Sequence, residues 1–130
     1  MNVQEIILPA VLWMPKKGGK RENALNMNWY RNAHYIKLSQ AKNKYYRQIV
    51  NKLRNLEPLT KVRPEYQYFL RQKSDVGNVH SVLEKFFLDT LVKAQIIEDD
   101  HCEIVSGGSY DFIDYDRNNP HCVVKLVTMQ

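Results

Sequence analysis

The chain has 130 residues, of which 44% are hydrophobic and 25% charged, with five glycines and five prolines. This length suits one domain with one hydrophobic core, and this composition argues against an intrinsically disordered chain. The apolar N-terminal segment contains Glu5 and is interrupted by Pro9 and Pro15. We therefore expect neither a signal peptide nor a membrane span, and we expect a cytoplasmic protein.

The net charge of +5 is divided unevenly along the chain. Residues 1–73 hold 15 of the 19 Lys and Arg residues and 4 of the 14 acids, whereas residues 74–130 hold the other 4 bases and 10 acids. A basic surface attracts polyanions, and an acidic one repels them unless a cation intervenes. A metal-dependent nuclease would show this division, and so would a domain with a solvated acidic face.

The N-terminal half predicts a strand, a loop and a helix. Residues 4–8 form a short strand that Pro9 ends. The basic, glycine-containing segment 15–28 is expected to be a loop, either a flexible surface segment or an arm that contacts DNA. Ser39 is a candidate N-cap, and hydrophobic residues at every fourth position predict an amphipathic helix over residues 39–55.

The C-terminal half predicts a strand over residues 62–72 and a second helix over 78–94. Strands are then expected over 102–105 and 121–129, joined by a long connection or an irregular hairpin. The order β-α-β-α-β-β predicts a single α+β domain over residues 1–130, with two helices packed on a small mixed sheet. The buried face of the second helix is expected to be core rather than a cofactor site, and consists of Val79, Val82, Leu83, Phe86, Phe87, Leu91 and Ala94.

Two His–Cys pairs raise the question of zinc. They are His101–Cys102 and His121–Cys122. Neighbouring side chains on a strand point to opposite faces, so both members of a pair do not easily reach one ion. We favour two buried, reduced thiols over a zinc site.

The chemistry is expected between Asp75 and Asp100. On a helical wheel, Asp75, Asn78, Lys85 and Asp89 span an arc of only about 80°. A strand end and a helix exit that face each other would let Asp75 and Asp100 meet. The alternative is that each acid is an N-cap, surface or turn residue, and that Asp89 forms a helical ion pair with Lys85.

Carboxylate oxygens are the ligands that Mg²⁺ and Mn²⁺ prefer, and a bound ion activates water for attack on phosphate. We expect Asp75 and Asp100 as ligands, Asp99 and Asp89 as supporting ligands, and Lys85 as the cation that stabilises the transition state. The catalytic set is therefore Asp75, Lys85 and Asp100.

These residues resemble the RusA endodeoxyribonucleases of lambdoid phages and their relatives. Members show a strand that leads into an Asp-x-Asp-Asn element, a helix with a Lys and then Asp-Ala-Leu, and an Asp-Asp pair after the helix. The matching pieces are Asp75-Val76-Gly77-Asn78, Lys85, Asp89-Thr90-Leu91 and Asp99-Asp100. The N-terminal half is similar more loosely, through Leu8-Pro9, the polar residues Asn26, Asn28, Tyr30 and Arg31, and a helix containing Tyr46-Arg47.

The resemblance implies a homodimer with two Mg²⁺-dependent sites, with Mn²⁺ as a substitute. It implies symmetrical nicks that resolve four-way (Holliday) junctions in DNA recombination and repair, at the nucleoid of a bacterial or phage-infected cell. Trp29, Tyr30 and Tyr35 are candidates for stacking on unpaired bases, with core burial as the alternative. The expected DNA contacts are Lys16, Lys17, Lys20, Arg21, Tyr30, Arg31, Lys37, Arg71, Lys73 and Asn78.

Two departures from the family pattern bear on the site. Gly77 stands where the family commonly has its second aspartate, and about one helical turn is inserted between Asn78 and Lys85. Asp89 or Asp99 is better placed than Glu84 to replace the lost ligand. The alternatives are a non-catalytic or weakly catalytic protein that binds branched nucleic acid, and a nuclease for another branched or RNA-containing substrate.

Overall fold

The computed structural model describes residues 2–129, and its largest element is a four-stranded sheet with the strand order β1-β6-β4-β5. Strands β4 and β5 are parallel, and the other neighbours are antiparallel. Strands β2 and β3 form a separate hairpin. The elements are β1 (Val3–Pro9), β2 (Val11–Lys16), β3 (Gly19–Ala24), α1 (Met27–Asn32), α2 (Tyr35–Ile49), β4 (Val62–Leu70), α3 (Val76–Lys93), β5 (Ser109–Tyr115) and β6 (His121–Thr128).

The core lies between one face of this sheet and the helices. Strand β4 alternates strictly, so that Val62, Tyr66 and Tyr68 are buried while the residues between them are half-buried. Helix α3 turns Leu83, Phe86, Phe87 and Leu91 toward this layer. All six expected core residues of this helix from Val79 to Leu91 are buried, and Ala94 is half-buried at the C-cap. The expected α+β class and the mixed sheet are confirmed.

The expectation that residues 15–28 form a loop is wrong. Residues 11–24 form the β2–β3 hairpin, because Leu12 and Met14 alternate inward and Gly18 and Gly19 supply positive φ at the turn. Asn26 then caps α1 by accepting a hydrogen bond from the Trp29 amide at 2.9 Å.

Helix α2 begins earlier than expected. Its N-cap is His34, whose Nδ1 accepts from the Ile36 amide, and Ser39 lies inside the helix. The regular helix stops at Ile49 and continues as a short 3₁₀ turn, Val50–Leu53. None of the helices among residues 2–129 is long and apolar enough to cross a membrane.

The expected strand over residues 102–105 is also wrong. These residues form a turn with a single bridge from Val105 to Val62, and the strand lies further on, as β5. Burial gives β5 no periodic signal, because all seven of its residues are exposed. Gly108 leads into it at a φ of 116°, and a Cβ there would lie 2.4 Å from the Pro64 carbonyl oxygen. Only glycine fits at that position.

His80 joins α3 to the sheet through a cluster of aromatic rings. Its Nδ1 lies 2.8 Å from the Tyr68 hydroxyl, and its ring stacks on Tyr110 with the centroids 4.2 Å apart. Burial lowers the pKa of the His80 imidazole below its ordinary value, and the nearby Glu84 carboxylate opposes part of that change. His80 is therefore neutral in the folded chain near pH 7.

We expect the free energy of unfolding to fall as the pH is lowered from 7.5 to 5.5. The lowered pKa means that the unfolded chain binds a proton below the ordinary value of about 6.5, while folded His80 does not. Stability is thus full above that value and is lost as the pH falls toward the folded pKa. The variant His80→Gln should show a smaller decline in urea unfolding across this range. An equal decline in both proteins would contradict the assignment.

Candidate functional site

Asp75 is exposed at the junction between β4 and α3. It is the N-cap of α3, and its Oδ1 accepts a hydrogen bond from the Gly77 amide at 3.0 Å. A carboxylate at this position is stabilised by the unpaired amides and by the positive end of the helix dipole. Asp75 therefore stabilises the start of α3 as its N-cap, while the residue remains exposed.

Asp99 and Asp100 lie beyond the other end of the same helix. Both are exposed, and the Asp99 Oδ1 accepts from the Asp100 amide at 2.8 Å. Helix α3 has 18 residues, which corresponds to a length of about 27 Å. The expectation that Asp75 and Asp100 converge within one chain is therefore wrong. The reason is topological: β4 and β5 are parallel, so the helix between them must run the full length of the sheet.

Lys85 and Asp89 lie within α3 and not at either of its ends. Lys85 is about 15 Å along the helix axis from Asp75, at a rise of 1.5 Å per residue. Its Nζ lies 5.8 Å from the centre of the Tyr30 ring. Asp89 forms an ion pair with Lys42 of α2 at 3.3 Å, rather than with Lys85. The alternative of a helical ion pair between Asp89 and Lys85 is therefore wrong, and the ion pair with Lys42 would compete with a metal ion for the Asp89 carboxylate.

Among residues 2–129, no three His, Cys, Asp or Glu side chains are grouped so that they would hold a metal ion. The two cysteines also differ: Cys122 is buried, and burial raises the pKa of its thiol to about 12, whereas Cys102 is exposed. The expectation of two buried thiols is therefore correct for Cys122 and wrong for Cys102.

Gly77 lies beside the Asp75 carboxylate. A Cβ at this position would lie 3.3 Å from the Asp75 Oδ1 and 3.5 Å from the Tyr110 hydroxyl. A second carboxylate at residue 77 would thus stand next to the first one. The contact with Asp75 is tight, so a side chain at residue 77 would need a shift of a few tenths of an ångström in the Asp75 carboxylate. Glu84 does not take the place beside Asp75, because it lies beside His80, at 3.8 Å.

A polar cleft of about 560 Å³ lies between β3 and the start of α2. Arg21 and Lys37 stand on its rim, and the amide side chains of Asn26, Asn28 and Asn32 line it. A smaller cavity of about 290 Å³, which includes Ser74, shares Glu22, Ala24 and Asn26 with the cleft. The two cavities are therefore neighbours, and Ser74, the residue preceding Asp75, lines the smaller one.

Most of the expected DNA contacts are exposed, and Arg21 and Lys37 line the cleft. The tip of the β2–β3 hairpin carries four of them, and Arg31, Lys37, Lys73 and Asn78 are also exposed. The four hairpin residues are Lys16, Lys17, Lys20 and Arg21. The sequence does not predict the cleft, because Asn32 and His34, which line it, follow no apolar periodicity and belong to none of the family motifs.

Arg71 is engaged inside the chain. Its guanidinium forms a two-pronged ion pair with Glu22, with Nη2 3.0 Å from Oε2, and its Nε donates to the Arg117 carbonyl. This pairing competes with phosphate, so Arg71 is better described as a clamp that ties the hairpin to the end of β4.

The three aromatic residues expected to stack on bases differ in exposure. Trp29 packs edge-on against Phe86 with the centroids 6.1 Å apart, and Tyr30 is half-buried beside Lys85. Tyr35 is 75% exposed at the first turn of α2. Trp29 and Tyr30 are therefore both half-buried against the core, and Tyr35 is the residue most open to stacking.

No protein-family model and no curated protein matches this chain.

We expect Arg21→Ala combined with Lys37→Ala to weaken binding to duplex or branched DNA about tenfold or more at 50 mM salt. Each substitution removes one positive charge that is expected to contact a phosphate, so the slope of log affinity against log salt should fall by about 2. Fluorescence anisotropy over a salt series measures both quantities. The control is Lys125→Ala, which lies on β6 between Glu5 and Glu65. An unchanged slope in the double variant would remove the cleft from the interface.

Gly77→Asp should bind Mn²⁺ at least about tenfold more tightly than the natural chain, because it adds a carboxylate beside Asp75. Gly77→Asn adds the same bulk without the charge and should leave the affinity almost unchanged. Isothermal titration calorimetry compares the three proteins. Equal affinities for the aspartate and asparagine variants would mean that residue 77 is not beside a cation site.

Proposed function

We propose that this chain is the subunit of a Mg²⁺-dependent endonuclease that cuts Holliday junctions and related branched DNA by paired, symmetrical nicks. The observation that carries the proposal is the exposed carboxylate of Asp75, whose neighbour Ser74 lines a cavity that shares Glu22, Ala24 and Asn26 with the polar cleft. The resemblance of residues 75–100 to the RusA endonucleases gives the reaction class and the substrate.

Because α3 separates Asp75 from Asp99 and Asp100, this proposal needs a second chain to complete each site. A homodimer with its α3 helices antiparallel would place Asp75 of one chain near Asp99 and Asp100 of the other. One two-fold axis creates this arrangement twice. The proposal therefore assigns each site to two chains, and it accounts for two nicks related by symmetry in a junction that is itself two-fold symmetric.

Each group then has a defined task. Asp75, Asp99 and Asp100 would hold Mg²⁺ or Mn²⁺, which supplies an activated water and neutralises charge on the phosphate. Lys16, Lys17, Lys20, Arg21 and Lys37 would hold the DNA backbone. Tyr35 would stack on a base left unpaired at the crossover.

A second candidate is a protein that binds branched DNA and cuts it weakly or not at all. Two observations favour it: glycine occupies residue 77, and Asp89 is paired with Lys42. Both reduce the number of carboxylates free to bind a cation. Salt-sensitive binding without metal-dependent nicking is the result that this candidate predicts.

We expect Asp75→Asn and Asp100→Asn each to reduce nicking of a synthetic four-way junction at least about a hundredfold, with binding retained, because one ligand of every site is lost. The assay is run in Mg²⁺ and in Mn²⁺. Glu57→Gln, an exposed acid in the α2–β4 connection, is the control and should cut like the natural chain. Flaps, forks and RNA–DNA hybrids in parallel reactions identify any other preferred substrate.

Refolding the two variants together tests the two-chain site. A mixed dimer has one site with both substitutions and one with neither, so an equal mixture should regain about a quarter of the natural sites. If both carboxylates served a site within one chain, the mixture would stay inactive. Full nicking by either single variant would contradict the whole proposal.

A further inference from the structure

The polar cleft between β3 and α2 contains a buried amide whose acceptor is unused. Asn23 is only 9% exposed, and its Nδ2 donates to the carbonyl oxygens of Leu12 and Arg21 at 3.4 and 3.1 Å. These two bonds use both donor hydrogens and hold the amide plane in place. The Asn23 Oδ1 accepts no hydrogen bond from residues 2–129, and it is not among the unpartnered polar atoms that are fully enclosed. The acceptor therefore opens into the cleft that Asn23 lines.

Asn26 supplies a matching donor. Its Oδ1 caps α1 by accepting from the Trp29 amide, which leaves its Nδ2 without an acceptor among the described residues. Asn26 is half-buried and also lines the cleft. The cleft thus offers one acceptor and one donor, each on an amide that a backbone contact holds in place. Amide acceptors and donors are the groups with which asparagine side chains read the edge of a nucleobase.

The walls and rim of the cleft suit the rest of a nucleotide. Trp29, Ala24 and Ala33 give the cleft apolar surface, and the exposed cations Arg21 and Lys37 lie on its rim. An aromatic wall accepts the face of a base, and cations attract phosphate. At about 560 Å³, the cleft lies within the range of roughly 300–1,000 Å³ that is typical of small-molecule sites.

The acid that lines the cleft does not cancel this positive charge. Glu22 is held by the guanidinium of Arg71, with Nη2 3.0 Å from Oε2. Neither Arg21 nor Lys37 forms a salt bridge within residues 2–129. Both rim cations are therefore available to a phosphate group.

We propose that the cleft binds a single nucleotide of DNA whose base is unpaired. The edge of that base would donate to the Asn23 Oδ1 and accept from the Asn26 Nδ2, and its face would lie on Trp29. Arg21 and Lys37 would hold the attached phosphate. This inference rests on the proposed function, since a branch point supplies nucleotides that have lost their partners. A paired base does not fit, because its edge is occupied and its faces are stacked.

His34 places the cleft beside the residue proposed to stack on a base. It lines the cleft, and its ring lies against that of Tyr35 with the centroids 4.5 Å apart. Tyr35 is exposed at the first turn of α2. One nucleotide in the cleft and its neighbour on Tyr35 would together hold a strand open at the branch point.

A four-way junction with one unpaired adenine at the crossover tests the cleft. Replacing that adenine by an abasic nucleotide removes the base and keeps the phosphate, and should weaken binding to the natural chain about tenfold. The measurement is fluorescence anisotropy without divalent metal, so that no strand is cut.

Two variants remove the groups that would read the base. Asn26→Ser keeps an oxygen to cap α1 but loses the Nδ2 donor, and Asn23→Leu loses the acceptor. In both, the abasic nucleotide should weaken binding less than about threefold, because the base no longer finds its partners. Asn51→Ser, exposed in the 3₁₀ turn after α2, is the control and should keep the full effect. Urea unfolding checks that each variant folds.

Free dAMP, titrated by calorimetry, separates a nucleotide within a strand from a free nucleotide as the occupant. Binding of the junction at least about a hundredfold more tightly than dAMP supports a nucleotide within a strand, because the rest of the strand adds phosphate contacts. Equal affinities for dAMP and the junction, both lowered by Asn26→Ser, would overturn the assignment to DNA and make the cleft a site for free nucleotides.

Nicking in Mg²⁺ and in Mn²⁺, measured on the same proteins, separates this inference from the proposed function. A natural chain that shows the abasic effect but does not nick would contradict the function and leave the nucleotide site standing. A natural chain that nicks, yet binds the abasic junction as tightly as the adenine junction, would overturn the nucleotide site alone. So would a full abasic effect in both Asn26→Ser and Asn23→Leu.

Discussion

The packing of α3 along the whole sheet is the constraint on which the rest of the structure depends. Eight of its side chains are buried, and Phe86 and Phe87 carry the contacts to α2 and to β4. Burial of large apolar side chains is the main source of stability in a domain of this size, at about 1.5–3 kcal/mol for each. A helix held so firmly on both flanks cannot bend to bring its two ends together.

This rigidity separates two acidic positions that differ electrostatically. Asp75 lies at the positive end of the α3 dipole and caps it, whereas Asp99 and Asp100 follow the negative end. Carboxylates at a helix C-terminus are unfavourable unless positive charge lies nearby. An antiparallel α3 from a second chain would bring its N-terminus to that place, and a divalent cation would complete the neutralisation. In the proposed dimer, the arrangement that completes a site would also relieve this repulsion.

Much of the fold could be predicted from periodicity, but its edges could not. β1, β4, β6 and the long amphipathic helices have regular apolar spacing, since one side of each is buried. β5 has no buried side chain, so its sequence shows no apolar periodicity. The hairpin was not predicted, because its lysines made residues 15–28 resemble a basic loop. Ser39 is a candidate N-cap because serine is common at that position, but the N-cap of α2 is His34.

The exposure of the individual candidate residues could be predicted from the sequence, but the distances between these residues could not. The exposure of Asp75, Asp99, Asp100 and the hairpin bases follows from their positions at turns. Their distances depend on whether β4 and β5 are parallel, which no short motif encodes. The clamp between Arg71 and Glu22, and the pair between Lys42 and Asp89, join residues 49 and 47 positions apart. Such long-range pairs remove charges from a predicted site without leaving a local signal.

A crystal structure of the protein soaked in Mn²⁺ tests the central claim most directly, because anomalous scattering locates the ion without reference to any motif. The account predicts manganese bound between Asp75 of one chain and Asp99 or Asp100 of its symmetry mate. Manganese held by Asp75 and Asp100 of the same chain would contradict it, since α3 would then have to be broken.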